Sequence, residues 1–176
     1  MTRETDRMLT LIGDMLKLSE LENTQNLNPV SLSLAKVVDE VQEALTTVID
    51  EKAVLVECSG DAEVCAEQEH IYELVKNLME NAIRYNEQGG RVFVTMEDGK
   101  KGARLIVADD GIGISPEEQS RIFERFYRVE KSRSLRSGGT GLGLSIVKHI
   151  CALYDWKLSL RSKPGIGTEV TVTFSH

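Results

Sequence analysis

The sequence lacks several features, and each absence argues against a class of protein. No apolar run approaches the ~18 residues that a membrane-spanning helix requires. Acidic residues outnumber basic ones by 28 to 21, and the net charge of −7 argues against nucleic acid as a partner. The cysteines, Cys58, Cys65 and Cys151, show no C-x-x-C spacing, so we expect reduced thiols in a cytoplasmic protein. The histidines have no spacing typical of metal ligands.

What the sequence does contain fits a globular protein with a real core. Its 176 residues are 41% hydrophobic and 28% charged, a composition typical of one ordinary domain with an appendage. A continuous apolar face from Leu34 to Lys52 predicts one helix. Val54–Cys58 and Glu63–Cys65 predict short strands around a turn, and Arg91–Glu97 with Ala103–Ala108 predict an antiparallel hairpin.

A glycine-rich stretch from Gly138 to Ser145 leads directly into an amphipathic segment that ends near Tyr154. Such a loop directs backbone N–H groups and the positive end of a helix dipole towards one point, which suits phosphates. The stretch matches neither G-x-x-x-x-G-K-[ST] nor G-x-G-x-x-G after a strand. Glycine-rich turns before helices are common, so this motif needs support from elsewhere in the chain.

A helix predicted from about Glu67 to Asn86 carries polar side chains along the edge of its apolar face. Asn77, Asn81 and Arg84 are four and three residues apart, so they share one stripe of the helix. Asparagine is a mediocre residue for a helix interior, which makes this stripe unusual. It is either a solvated helix edge or a row that holds a metal–phosphate group.

Charged residues also occur in two segments outside these helices. The second hairpin strand runs into Asp109, followed by Gly111 and Gly113, where a carboxylate at a strand end is placed to accept a hydrogen bond from a ligand. The alternative is an ordinary Asp-Gly turn.

The segment Arg125–Arg136 is strongly basic, and we interpret it as a cationic flap over the glycine loop. We expect Arg128–Ser137 to be poorly ordered without nucleotide.

Residues 2–22 predict an amphipathic helix with a wide apolar face. Its two adjacent stripes consist of Met8, Leu11, Met15 and Leu18, and of Leu9, Ile12 and Leu16. A face of this width is typical of a helix bundle, yet no helix of matching length precedes it. We therefore expect its partner to come from an upstream segment or another chain. The alternative is that the helix folds back on the rest of the molecule.

Together these motifs resemble the ATP-binding domain of sensor histidine kinases, in the order and spacing of that family. They are Asn77–Tyr85 (NLMENAIRY), Asp109–Gly113 (DDGIG), Phe123–Phe126 (FERF), Gly139–Leu144 (GTGLGL) and, more weakly, Pro164–Thr168 (PGIGT). The resemblance covers about residues 30 to 174. It implies an α+β fold, a two-layer α/β sandwich of the Bergerat type with a mixed sheet covered by helices on one face. Residues 1–28 resemble the second helix and linker of a dimerisation domain, and residues 29–176 the catalytic domain.

The resemblance also implies roles for individual residues at the phosphate end of a Mg-ATP site. Asn77 would ligate magnesium and act in catalysis, and Asn81 would help to hold metal and phosphates. Arg84 and Tyr85 would reach the phosphates and the sugar side. Arg128 would offset charge on the γ-phosphate as a second catalytic residue, with help from Lys131 or Arg133. The residues that would wrap the phosphates are Thr140, Gly141, Leu142, Gly143 and Leu144.

At the other end of the nucleotide, the resemblance assigns Asp109 to the adenine amino group. This contact would explain a choice of ATP over GTP. Gly111 and Gly113 would let the base lie close to the backbone.

One departure from the family concerns the phosphoacceptor histidine. None of His70, His149 and His176 is followed by the acid and the Arg-Thr-Pro-like run of an acceptor. We expect the acceptor on a helix that precedes residue 1, which makes this chain part of a longer protein.

The implied activity is transfer of the ATP γ-phosphoryl group to that histidine, for relay to a response regulator. The implied whole protein is a membrane-anchored homodimer whose kinase part is cytoplasmic. Alternatives are a nucleotide-gated interaction module and an ATPase of the gyrase or MutL kind. Those ATPases carry a glutamate where this chain has Asn77, and an amide cannot act as the base.

Overall fold

A mixed five-stranded sheet organises the computed structural model, which describes residues 2–129 and 139–175. In chain order the strands are β1 (Val30–Ser33), β2 (Leu55–Gly60), β3 (Glu63–Ala66), β4 (Arg91–Gly99), β5 (Gly102–Asp109), β6 (Lys157–Lys163) and β7 (Gly167–Phe174). The large sheet has the order β2-β4-β5-β7-β6, in which only the β2–β4 pair is parallel. β1 and β3 form a separate antiparallel pair.

Helices cover one face of this sheet. The helices of the described residues are α1 (Arg3–Asn23), α2 (Leu34–Ala44), α3 (Thr46–Lys52), α4 (Gln68–Arg84), α5 (Pro116–Gln119) and α6 (Gly143–Leu153). The inward side chains of β4, Val92, Val94 and Met96, are buried and alternate with outward ones, as the period of a half-buried strand requires. The predicted α+β sandwich is therefore confirmed. Within the described residues, no helix is both long and apolar enough to cross a membrane.

The asparagine helix predicted from periodicity is α4. All seven apolar positions of its predicted face are buried, namely Ile71, Leu74, Val75, Leu78, Met79, Ala82 and Ile83. Because this face fixes the rotation of the helix against the sheet, the stripe that contains Asn77 and Asn81 lies along the edge of the core. Both side chains are half-buried.

One of the predicted elements differs in the structure. The single helix expected from Leu34 to Lys52 is interrupted at Leu45, and α3 begins at Thr46, whose hydroxyl donates a hydrogen bond of 2.7 Å back to the carbonyl of Glu43. Such back-bonding by threonine competes with a regular helix. Both strands predicted on either side of residues 59–61 are present, and they belong to different sheets, because β2 pairs with β4 and β3 with β1.

α1 packs on the remainder of the molecule along one side, and most deeply through its C-terminal half. Leu18 and Leu21 are buried in the common core, and Lys17 forms an ion pair of 2.5 Å with Glu73 on α4. Five large apolar side chains of α1 stay at least half exposed, namely Met8, Leu9, Ile12, Met15 and Leu16. The helix therefore does fold back on the rest of the molecule, and it still exposes an apolar stripe. That an upstream segment or another chain covers this stripe stays a prediction, as does the domain boundary near residue 28.

Candidate nucleotide-binding site

A cavity of about 820 Å³ lies between α4, the loop after β5 and the N-terminus of α6. It brings together most of the site residues expected from the sequence, namely Asn77, Asn81, Arg84, Tyr85, Asp109, Gly113, Arg128, Thr140, Gly141, Gly143 and Leu144. Gly111 and Leu142 are buried and are not among the residues that line the cavity. Lys131 and the rest of the expected flap after Val129 lie outside the described residues, as do Gly138 and His176.

The phosphate end of the cavity is built where α4 faces the start of α6. The Asn77 amide donates a hydrogen bond of 2.7 Å to the carbonyl of Glu73, one turn earlier on α4. A Cβ at position 143 would lie 2.9 Å from Asn77 Oδ1, so the first residue of α6 stands directly against the Asn77 amide. The asparagine oxygen and the α6 N-terminus therefore face one space, which suits an anion and its cation.

The loop before α6 is held by its neighbours. Gly141 has φ of +79°, and a Cβ there would lie 3.0 Å from the backbone of Phe126. The Phe126 amide donates a hydrogen bond of 2.9 Å to the carbonyl of Gly141, and Phe126 itself has a positive φ of 62°. The Leu142 side chain is fully buried, so only its backbone is available to a ligand. This backbone pairing ties the glycine loop to the segment that leads into the basic stretch.

Arg128 and Tyr85 come together beside Gly139. A Cβ at position 139 would lie 3.7 Å from Arg128 Nη2 and 3.7 Å from the Tyr85 hydroxyl. Arg84 also lines the cavity, with its guanidinium in contact with Glu80 at 2.8 and 3.0 Å across one turn of α4. Cationic side chains therefore stand on the α4 side and on the flap side of the same space.

Asp109 occupies the opposite end of the cavity in a mostly buried position. Burial raises the pKa of its carboxyl to about 6, against the lowering effect of the Gly111 and Thr168 backbone N–H groups. The N–H of Gly111 donates a hydrogen bond of 2.9 Å to Asp109 Oδ1. A carboxylate oxygen in the wall of a cavity can bind one polar group of a ligand. Apolar side chains of the cavity would then contact the rest of a flat ligand ring.

The glycines after Asp109 are required by the protein itself. A Cβ at Gly111 would lie 2.6 Å from the carbonyl oxygen of Tyr85. Gly113 has φ of +70°, and a Cβ there would lie 2.1 Å from the carbonyl oxygen of Lys163. The loop therefore fits between the end of α4 and the β6–β7 turn, which gives these glycines a structural reason independent of any base.

Several lining residues were missed in the sequence. Thr10 and Asp14 of α1 reach the cavity, and Asp14 Oδ2 accepts a hydrogen bond of 2.7 Å from the Thr140 hydroxyl. Burial raises the pKa of Asp14. Lys52 and Asn86 line the other side. The one available signal was the helical spacing of Thr10 and Asp14 on the polar edge of α1, and nothing local showed that this edge meets the glycine loop.

The histidines in the described residues are engaged outside the cavity. His70 Nδ1 lies 2.7 Å from the Tyr154 hydroxyl, and His149 Nε2 lies 3.6 Å from Glu22 Oε1. Neither side chain is among the lining residues. Among the described residues, no group of three or more His, Cys, Asp or Glu side chains is placed to hold a metal ion. The Asn77 amide oxygen is a side-chain group that could hold a cation together with ligand phosphates.

Comparison with known proteins identifies the family. Residues 66–176 match the family described as histidine kinase-, DNA gyrase B- and HSP90-like ATPase, and the chain belongs to it. The sensor histidine kinase RppB of Synechocystis is 38% identical over 176 residues, covering 97% of this chain and 38% of RppB. The sensor-like histidine kinase SenX3 of Mycobacterium tuberculosis is 33% identical over 172 residues, covering 96% of this chain and 42% of SenX3.

A solved structure shares the fold along nearly the whole chain. Full-length ShkA, crystallised with AMPPNP, superposes with a TM-score of 0.81 at 24% identity, covering 97% of this chain and 37% of ShkA. The chain thus spans about two fifths of the length of the curated relatives it matches. The resemblance to the ATP-binding domain of sensor histidine kinases is confirmed, while the roles of single residues stay predictions.

Proposed function

We propose that this chain binds Mg-ATP in the cavity and serves as the catalytic ATP-binding part of a two-component sensor histidine kinase. The observation that carries the proposal is that one cavity has two different polar groups at its opposite ends. Asn77 faces the N-terminus of α6 at one end, and the partly buried carboxyl of Asp109 stands at the other. This arrangement matches a ligand with a polar ring edge and a polyphosphate tail.

At the adenine end, Asp109 accepts a hydrogen bond from the exocyclic amino group of adenine. Guanine and hypoxanthine carry an oxygen at that position, which would face the carboxylate oxygen. A buried polar group that loses its partner in this way costs free energy, so the contact selects for ATP.

At the phosphate end, Asn77 and Asn81 provide amide oxygens and N–H groups. The backbone of the glycine loop, with Gly141 and Gly143, cradles the phosphates at the α6 N-terminus. Arg128 offsets the charge that spreads over the γ-phosphoryl oxygens during transfer. Bound magnesium supplies neutralisation of the phosphate charge, with Asn77 Oδ1 as its protein ligand.

The reaction is in-line transfer of the γ-phosphoryl group to a histidine imidazole supplied by a dimerisation segment. The new N–P bond forms as the bond from the γ-phosphorus to the β,γ-bridging oxygen breaks, and ADP leaves. The role of this chain is to position the nucleotide and stabilise charge, which is the main contribution of proteins to phosphoryl transfer.

Hydrolysis by an activated water is disfavoured at this site. Position 77 offers an amide rather than a base. The carboxylates that do line the cavity on α4 are held in ion pairs, Glu73 with Lys17 and Glu80 with Arg84. These pairings favour phosphoryl transfer to a protein nucleophile over an ATPase of the gyrase kind. The glycines and polar side chains at the phosphate end argue against an interaction module in which the nucleotide only controls the conformation of the chain.

The partners of the whole protein follow from the same proposal. The exposed apolar stripe of α1 fits a helix of a dimerisation bundle, in a homodimeric sensor that is anchored in the membrane with this part in the cytoplasm. The phosphohistidine would pass its group to a response regulator. The excess of acidic residues gives no support for a nucleic-acid partner.

Titration calorimetry tests the site. ATP should bind with magnesium dependence, and Asn77→Ala and Asp109→Asn should each weaken binding about tenfold or more. Asn23→Ala and Asp98→Asn are matched controls, because both side chains are exposed and outside the lining residues. Unchanged affinity in both site variants would refute the residue assignment.

A further inference from the structure

Asn86 is a buried polar residue that the proposed function leaves unexplained. In the part of the chain that the structure describes, Asn86 is 3% exposed and Ser145 is 2% exposed, and these are the buried polar side chains. Ser145 has a local role, since its hydroxyl donates to the carbonyl of Leu142 at the start of α6. Asn86 lies just beyond α4 and lines the cavity next to Tyr85.

The Asn86 side chain holds the turn between α4 and β4 together. Its Oδ1 accepts a hydrogen bond of 2.8 Å from the Glu87 N–H, and its Nδ2 donates one of 2.8 Å to the carbonyl of Arg91. A Cβ at Gly90 would lie 2.1 Å from Asn86 Oδ1, so the turn closes tightly around the amide. Both ends of the amide are therefore used, one as acceptor and one as donor.

Arg91 links this turn to the loop that carries Asp109. The Arg91 N–H donates a hydrogen bond of 2.7 Å to Asp110 Oδ1, and the Asp110 N–H donates one of 3.3 Å to the Arg91 carbonyl. That carbonyl thus receives donors from Asn86 and from Asp110. The first residue of β4 is fixed against the residue that follows Asp109.

The same loop rests directly on Asn86. A Cβ at Gly111 would lie 3.0 Å from Asn86 Cα, and the Gly111 N–H is the group that donates to Asp109 Oδ1. The N–H of Ile112 also donates to the Tyr85 carbonyl at 3.4 Å. The two residues after Asp109 are therefore both held at Asn86: Asp110 through the Arg91 carbonyl that the Asn86 amide also binds, and Gly111 against the Asn86 backbone.

The geometry points to Asn86 as a positioning residue for base recognition: its amide fixes Arg91 and, through Asp110 and Gly111, the direction in which the Asp109 carboxylate faces the cavity. This inference rests on the proposed function, since it concerns how the same site selects adenine. Asn86 itself makes no contact with the base in this account.

The chemistry requires an amide at this position. Aspartate keeps the acceptor for the Glu87 N–H but places an oxygen against the Arg91 carbonyl, where a donor is needed. Alanine removes both hydrogen bonds and leaves space next to Gly90. A purely structural Asn86 would lower the free energy of unfolding when replaced, but it would leave the discrimination between bases unchanged.

The test measures discrimination rather than affinity alone. ITP differs from ATP in carrying an oxygen in place of the amino group that Asp109 would bind, so the ratio of its Kd to that of ATP reports on this contact. Calorimetry on the 176-residue chain with magnesium gives both constants for wild type, Asn86→Asp and Asn86→Ala. We expect the ratio to fall about tenfold in both variants. Val38→Ala, in the buried face of α2, is the control for lost stability and should keep the wild-type ratio.

The outcomes separate this inference from the proposed function. A wild-type chain that binds ATP and ITP equally would refute the adenine contact and the inference together. A wild-type preference for ATP that persists in Asn86→Asp and Asn86→Ala would refute the inference alone. If Asn86→Ala does not fold, Asn86→Asp decides, because it preserves the shape of the side chain and one of its two hydrogen bonds.

Discussion

The Thr140 hydroxyl donates a hydrogen bond of 2.7 Å to Oδ2 of Asp14, and this contact joins α1 to the loop that precedes α6. The residues are 126 positions apart in the chain. The bond brings a carboxylate from the helix with the exposed apolar stripe into the cavity that we assign to ATP. The occupancy of the nucleotide site and the position of α1 are therefore expected to influence each other.

Asp14→Asn should strengthen ATP binding. The carboxylate adds negative charge next to the proposed phosphate site, while an asparagine oxygen can still accept the Thr140 hydrogen bond. We expect a gain of about fivefold in affinity, larger at low ionic strength. Because burial raises the pKa of Asp14, its carboxylate is protonated at a higher pH than an ordinary aspartate. The difference in affinity between wild type and variant should therefore shrink as pH falls. Calorimetry at two pH values measures this.

Asp6→Asn is the matched control for Asp14→Asn, since Asp6 is an exposed acid on the same helix and not a lining residue. The control should leave affinity within twofold of wild type, or about 0.4 kcal/mol. An equal gain from both substitutions would show a general charge effect and contradict a local role for Asp14.

Asp109→Asn should change the pH dependence of stability in the nucleotide-free protein. The folded-state pKa of Asp109 is raised to about 6 from 3.8, so below pH ~4 the group is protonated in both states and has no effect. Between pH ~4 and about 6 the unfolded state releases this proton while the folded state keeps it, so the wild type loses at most roughly 3 kcal/mol of unfolding free energy across that window. The variant lacks this loss.

Urea unfolding of both proteins between about pH 4 and pH 7 checks this prediction. The stability of Asp109→Asn relative to wild type should increase across this window and level off above it. Asp98→Asn, on the exposed side of the hairpin, should show no such change. A difference that stays constant with pH would contradict a buried, neutral-prone Asp109.

Asp61→Ala should destabilise the start of α2. Asp61 Oδ1 accepts hydrogen bonds from the N–H groups of Ala35 at 3.0 Å and Ala62 at 2.8 Å, and the Ser33 hydroxyl also donates to it. We expect a loss of about 1 kcal/mol at neutral pH, as for other helix caps on the surface. The Ala35 N–H is the main cause that lowers the pKa of Asp61.

The pH dependence of the Asp61 effect has a defined sign. A lowered pKa means that the carboxylate stabilises the fold above pH ~4, and that this contribution disappears as pH falls through the folded-state pKa. Asp61→Asn, which keeps an acceptor, should lose less than Asp61→Ala. Chemical denaturation that finds both variants as stable as wild type at neutral pH would refute the cap.

The parts of the fold that sequence could predict are those with local patterns. The face of α4 follows from apolar spacing, which also places Asn77 and Asn81 at the edge of the core. The β4–β5 hairpin follows from alternation around a glycine turn. The break at Leu45 was missed, because it depends on a threonine hydroxyl competing for the backbone rather than on a change in hydrophobicity.

Long-range contacts account for what remained hidden. The parallel pairing of β2 with β4 leaves no trace in either segment, so the sequence predicted both strands without predicting their pairing. Asp14 and Asn86 enter the cavity only because α1 and the α4–β4 turn pack beside it. Their polar character was visible in the sequence, but their partners, Thr140 and Arg91, were not.

The most direct test of the central claim is a phosphohistidine assay with γ-labelled ATP and magnesium. The 176-residue chain alone should bind ATP yet acquire almost no acid-labile, base-stable label, because its described histidines lie outside the cavity. Adding a dimerisation segment that carries an acceptor histidine should produce such label on that segment, and Asn77→Ala or Arg128→Ala in this chain should weaken it about tenfold or more. Strong label on the 176-residue chain by itself would contradict the account.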